Sequence, residues 1–248
     1  MDCGINFNGN PIYERSGKKF CYIINNEVFD AKLRLSKRKG TNKDFQNLFD
    51  TLTKFEFEIY WANNCRSLEM LQNLKKISLR PDLGEYSIFL CIILSHGSDE
   101  IIYGFEDFIE IRRLLHPFKE NECKALQGKP KVFIIQACKG NKCDPGVLAD
   151  DLYSNNIAAV PMELNFLIGY STVSDYLSWR NEVVGSWYIH SFCEIVRKYG
   201  DKEDLLHLLV RVNNNVSSKF KSKSMYTATN DKVQISSFVC MLVKDVYL

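Results

Sequence analysis

Short apolar runs recur along this chain at long intervals, at residues 20–24, 55–61, 88–94, 132–135, 166–170 and 237–243, and most of them are continuous, not alternating. Such a run suits a strand covered on both faces, because a sheet with helices on each side has no wet surface. Segments of helical period lie between the runs. Residues 44–54 carry Phe45, Leu48, Phe49 and Leu52 on one face, and Ser67 caps a segment that presents Leu68, Leu71 and Leu74. Phe108, Ile111, Arg112 and Leu115 begin the same pattern before Pro117 stops it. Further helices are predicted over 187–199, after Ser186, and over 202–216, where Leu205, Leu208, Leu209 and Val212 share a face. Strands alternating with helices predict an α/β fold, with a mainly parallel sheet between helical layers.

That architecture needs a large core. The chain has 248 residues, 46% of them hydrophobic and 25% charged, as soluble globular domains do. No Pro-, Gly- or Ser-rich linker divides it, so one unit is expected. Its 32 Lys and Arg against 30 Asp and Glu leave a net charge of +2, no field for nucleic acid or an anionic membrane. Nine cysteines occur without a C-x-x-C pair, which argues against zinc and against a thioredoxin-like redox site. Cys21, Cys91 and Cys240 sit inside apolar runs and read as small buried hydrophobes in a reducing compartment. With no signal-peptide core and no long apolar stretch, the expected location is the cytoplasm.

Parallel sheets bind ligands at the carboxyl ends of their strands, so the residues just past each apolar run carry the functional information. Residues 88–94 run into Ser95-His96-Gly97, and residues 132–135 into Gln136-Ala137-Cys138-Lys139-Gly140. Neither continues as G-x-G-x-x-G and no Walker A lysine exists, so a nucleotide cofactor is not expected, nor any other cofactor. Cys138 lies beyond the last apolar residue, where a turn can expose its sulfur as a nucleophile. His96 is the candidate base, because it is the histidine that ends a buried strand.

The motifs "FIIQACKG" and "CIILSHGSDEIIYG" resemble those of the caspases, cysteine proteases that cleave after aspartate. "CYIINNEVF", "RKGTNKD", "FLIGYSTVSDYLSWRNEVVGSWYI" and "QISSFVCMLVKDVYL" follow in the family's order, so the resemblance spans nearly the whole chain. It implies a three-layer sandwich whose mainly parallel six-stranded sheet has helices on both faces. It assigns His96 and Cys138 as the catalytic dyad, with the backbone N–H groups of Gly97 and Cys138 as the oxyanion hole. Arg38, Gln136 and Arg180 match the pocket for the aspartate side chain, where rigid guanidinium forks suit a planar carboxylate. Leu177, Trp179 and Asn181 match positions of the neighbouring subsites, together with Thr229, Trp187 and Lys223.

This sequence departs from the family's pattern at Lys139, which replaces the usual arginine, and at Leu177 and Thr229, which make the second subsite less aromatic. The resemblance implies a propeptide at 1–19, a large-subunit region at 20–150 and a small-subunit region at 151–248, with 20–248 forming one catalytic domain. A propeptide that short is below the ~50 residues of a folded recruitment domain, as in executioner caspases. Activation by an upstream protease is expected at Asp150, with inhibitor proteins as further partners. The last strand is expected to pair across a two-fold axis into a homodimer. The function expected is an endopeptidase of programmed cell death acting on proteins with an exposed aspartate. The alternatives are a catalytically weak homologue that modulates active relatives, and an enzyme directed at Arg or Lys, which Arg38 and Arg180 oppose.

Overall fold

The computed structural model describes residues 11–98, 100–138, 164–173, 178–222 and 230–248. Strands β1 (Lys18–Asn25), β2 (Phe57–Asn63) and β3 (Tyr86–Leu94) come first, with α1 (Thr41–Lys54) and α2 (Ser67–Ser78) between them. Then follow β4 (Gly97–Ser98), β5 (Ile101–Tyr103), β6 (Phe108–Glu110), α3 (Ile111–Leu115) and β7 (Lys131–Gln136). The chain continues through β8 (Phe166–Tyr170), β9 (Arg180–Asn181), β10 (Gly185–Ser186), α4 (Trp187–Tyr199), α5 (Leu205–Lys219) and β11 (Ser237–Cys240).

The apolar runs pair into a six-stranded sheet in the order β11-β8-β7-β3-β1-β2. All neighbours are parallel except β11, which runs antiparallel to β8. Every residue of β3 and of β7 is buried, as continuous apolar runs in a two-sided sheet require. Leu48 and Leu52 of α1, Phe192 and Val196 of α4, and Leu208 and Val212 of α5 form the core on one face. Met70 and Leu74 of α2 and Leu114 of α3 join the core on the other. The layered α/β architecture therefore stands as the sequence pattern predicts.

Four local expectations are corrected. Leu68 is exposed, because α2 starts at Ser67 behind an Arg66 cap and turns Met70, Leu71, Leu74 and Ile77 inward instead. Phe108 is an exposed strand residue of β6, and Pro117 opens a 3-10 turn, His116–Phe118, that continues α3. On β2, Tyr60 and Trp61 are exposed, since an edge strand has cover on one side only. Cys240 is exposed on the opposite edge strand, whereas Cys21 and Cys91 are buried as expected. The small sheet β4-β5-β6 and the hairpin β9-β10 were beyond the reach of apolar patterning, because strands of two or three residues carry no period.

Candidate active site

The register pairs Leu94 of β3 with Gln136 of β7, so the two chains leave the sheet side by side. Ser95 N–H donates to the Gln136 carbonyl at 3.1 Å, which keeps the two exits together for one more residue. His96 and Cys138 each follow two residues past those paired ends. At Gly97, a Cβ would lie 2.8 Å from the Ala137 Cβ and 3.0 Å from the Cys138 carbonyl oxygen. Only glycine permits so close an approach between the histidine strand and the cysteine turn. Ser171 braces that turn, accepting from Ala137 N–H at 3.2 Å and donating to the Ala137 carbonyl at 2.8 Å.

The His96 ring lies 4.8 Å from that of Phe29, and its Nε2 is 2.8 Å from the Ser36 carbonyl oxygen. A carbonyl only accepts, so Nε2 carries the proton and Nδ1 is left as the basic nitrogen. Burial, reinforced by the positive fields of Arg38 and Arg180, lowers the imidazole to about 4, although the Ser36 carbonyl acts the other way. His96 is thus neutral at pH 7, the form in which it can take a proton. Cys138 Sγ accepts from Ser178 N–H at 3.4 Å and lies 3.9 Å from the Ser178 carbonyl oxygen. Among the described residues, no hydrogen bond joins Cys138 to His96.

Beside the sulfur is a cationic recess. Arg38 is fully buried, donating through Nη1 to the Asn26 carbonyl at 3.0 Å and to Thr41 Oγ1 at 2.8 Å. Its Nε and Nη2 are buried without a partner. Burial first, and then the field of Arg180, lower this guanidinium to about 9, still above neutrality, so it remains a cation. Arg180 is half-buried and donates from Nε to the Lys39 carbonyl at 2.8 Å. Burial lowers its pKa as well, while Asp44, Cys138 and Glu27 act in the opposite sense. Gln136 Nε2 donates to Ser178 Oγ at 2.7 Å. Two donors of a buried guanidinium without acceptors, beside a second guanidinium, are arranged to receive a carboxylate.

Trp179 stacks on Trp187 with centroids 5.9 Å apart, and Trp187 on Phe220 at 5.2 Å, which extends an aromatic wall away from the recess. Trp179 N–H is anchored by Gln234 Oε1 at 2.7 Å. Asn181 accepts from Val183 N–H at 2.7 Å and Val184 N–H at 3.3 Å, holding the β9-β10 turn. Leu177, Lys139, Asp150, Lys223 and Thr229 lie outside the described residues. Sequence reasoning gave no role to Asn26, Asp44, Ser171, Ser178 and Gln234, although each lies within a quoted motif; they hold the site through backbone or buried contacts. No group of three or more His, Cys, Asp or Glu among the described residues could hold a metal ion. Among those residues no helix is long and apolar enough to cross a membrane.

Residues 18–247 match the family profile described as Caspase domain. The whole chain is 37% identical to Caspase-3 of Felis catus and covers 90% of that protein. It is 38% identical to Caspase-3 of Oryctolagus cuniculus, over 92% of this chain and 82% of the relative. Identity to Caspase-3 of Mus musculus is 36%, over 100% of the chain and 90% of that protein.

Proposed function

The chain belongs to the caspase family of cysteine-type endopeptidases, and from that premise we propose that it cleaves proteins after aspartate, with Cys138 as nucleophile and His96 as general acid and base. The observation that carries the specificity is the fully buried Arg38 with two unpartnered donors. Asparagine has nearly the shape of aspartate but brings no charge to those donors.

In the proposed cycle the Cys138 sulfur attacks the scissile carbonyl carbon, its proton passes to His96, and the C–S bond forms. Gly97 and Cys138 N–H groups hold the developing oxyanion. His96 then gives the proton to the leaving amine as the C–N bond breaks, leaving a thioester. Water, deprotonated by His96, attacks that thioester, and the C–S bond breaks to release the acid. Because Sγ now rests against the Ser178 backbone, activation has to bring it toward the basic Nδ1 of His96.

The same reading makes 1–19 a propeptide, 20–150 a large-subunit region and 151–248 a small-subunit region, with cleavage by an upstream protease at Asp150. It makes the chain cytoplasmic and its role programmed cell death. Dimerisation through β11 is supported by the place of that strand at the sheet edge, with Val239 exposed. Incubation of the processed protein with tetrapeptides ending in Asp, Asn, Lys or Arg tests the core of the proposal. Strong turnover of the Asp peptide alone, abolished in Cys138→Ala, is expected. Turnover that survives Cys138→Ala, or that ignores the last residue, refutes it.

A further inference from the structure

Asp44 closes the motif "RKGTNKD" without a catalytic assignment there, and it is a fully buried carboxylate one turn into α1. A buried charge without a partner is costly, so its surroundings state what it is for. Its Oδ1 accepts from Ser186 N–H at 2.7 Å and its Oδ2 from Ser186 Oγ–H at 2.5 Å. Ser186 opens α4 as its N-cap residue, but its hydroxyl makes no capping bond there and is committed to Asp44. In the β9-β10 hairpin, Ser186 is the register partner of Arg180. The preceding Gly185 has φ +88°, and a Cβ there would lie 2.2 Å from Asp44 Oδ1, so the hairpin is seated directly on the carboxylate.

Other contacts close the same joint. Arg180 Nε reaches the Lys39 carbonyl, Arg38 Nη1 reaches Thr41 Oγ1 at the start of α1, and a Cβ on Gly40 would lie 2.8 Å from the Asn181 carbonyl oxygen. Arg38 and Arg180 also stabilise the charge of Asp44 against the burial that raises its pKa. Two arginines that repel one another are thus carried by two segments far apart in the chain. The clasp between those segments is Asp44.

We propose that Asp44 is a positioning residue for the primary specificity pocket, acting through Ser186 to fix Arg180 opposite Arg38. This rests on the reading of that pocket as the aspartate site. Displacing a guanidinium fork by about 1 Å removes its bidentate geometry, and effects of about 10- to 100-fold are the scale of such misplacement. The loss falls on binding of the substrate carboxylate, not on bond breaking at Cys138.

The test uses the processed full chain with matched fluorogenic peptides ending in Asp or Asn, and thermal unfolding to verify folding. The parent must first prefer Asp strongly; equal rates on the two peptides overturn the pocket and this inference with it. With that preference in place, Asp44→Ala is expected to raise KM for the Asp peptide about 10- to 100-fold with kcat within about threefold. The Asn peptide, which makes no use of the fork, should change little. Ser186→Ala should shift KM in the same direction, and the double variant should be no worse than Asp44→Ala alone, because the two act as one unit. Asp44→Asn, which can accept from Ser186 N–H and donate to its hydroxyl, should recover most of the KM. An unchanged KM in Asp44→Ala, an equal fall in kcat on both peptides, or additive effects in the double variant overturn the proposal. Should Asp44→Ala not fold, Ser186→Ala decides it, and a parental KM there is likewise a refutation.

Discussion

Among the described residues two cations are completely buried, Arg38 at the carboxyl end of the sheet and Lys131 at the amino end of β7. Lys131 is fully employed. Its Nζ pairs with Glu120 at 2.7 Å and reaches the Leu126 carbonyl at 3.3 Å, while Glu120 also accepts from Asn165 Nδ2 at 2.9 Å and from Gly128 N–H at 3.0 Å. Asn165 in turn accepts from the Tyr13 hydroxyl at 2.5 Å. Arg38, by contrast, leaves two of its donors without an acceptor. Burial is the same in both places, but satisfaction is not. A buried cation whose partners are complete holds the fold together; one whose partners are incomplete is, on the function proposed above, left open for the substrate carboxylate.

The sharpest way to break this comparison is to remove Arg38. Arg38→Met fills similar space without charge and should reduce kcat/KM on Asp peptides by about 30- to several-thousand-fold, corresponding to about 2–5 kcal/mol for a desolvated charge pair. Its unfolding free energy should stay within about 1 kcal/mol of the parent, because the lost hydrogen bonds are offset by relief of the unsatisfied donors. A large loss of stability measured by denaturant titration would show Arg38 to be a structural cation like Lys131.

The reciprocal change should separate the two ends. Lys131→Met leaves the partly buried Glu120 carboxylate without its cation and should cost about 2 kcal/mol of stability, the scale of a lost charge-assisted hydrogen bond. Michaelis parameters of the fraction that folds should match the parent. Adding Glu120→Gln should recover part of the loss, since an apolar-plus-amide pair no longer strands a charge. Equal damage in the single and double variants would mean that the pair is not the source of the effect.

Titration distinguishes the ends more gently. His96 is lowered to about 4 by burial and the two arginines, whereas an unfolded histidine titrates near 6.5. Between those values the unfolded chain binds a proton that the folded chain refuses. The contribution is therefore complete above about pH 6.5 and is lost progressively as pH falls toward 4. Denaturant titrations at pH 7 and pH 4.5 should show the parent losing about 2 kcal/mol more than His96→Gln. If both lose the same amount, His96 is not held neutral by its surroundings.

Much of this could be read from the amino-acid pattern, for a reason that also explains what could not. Runs such as 88–94 and 132–135 announce buried strands because nothing polar interrupts them, and the sites at His96 and Cys138 follow from where those runs stop. Asp44 closes the motif "RKGTNKD", but its burial was not legible because it sits on an amphipathic helix where an acidic residue ordinarily faces water; only the β9-β10 hairpin, too short to show a period, covers it. Leu68 went the other way, an apolar residue exposed because the helix phase is set by Met70 and Leu74. Patterning thus reports the layers and the strand ends, and contacts between distant short segments escape it.

The smallest test lies at the satisfied end. Tyr13 donates its hydroxyl to Asn165 and accepts from Val243 N–H at 3.2 Å, so it joins the N-terminal segment to the C-terminal one through the Lys131 network. Tyr13→Phe keeps the buried ring and removes only the oxygen. The Asn165 oxygen loses its donor and the Val243 N–H its acceptor, while Asn165 Nδ2 remains on Glu120. The expected cost is about 1.5 kcal/mol, the net worth of two neutral hydrogen bonds of which one is only partly buried. Because the network sits at the far end of β7 from Cys138, kcat and KM should both be unchanged. A Tyr13→Phe variant that unfolded like the parent but bound Asp peptides more weakly would couple the two ends of the sheet, and the division between a satisfied structural cation and an open binding cation would then have to be abandoned.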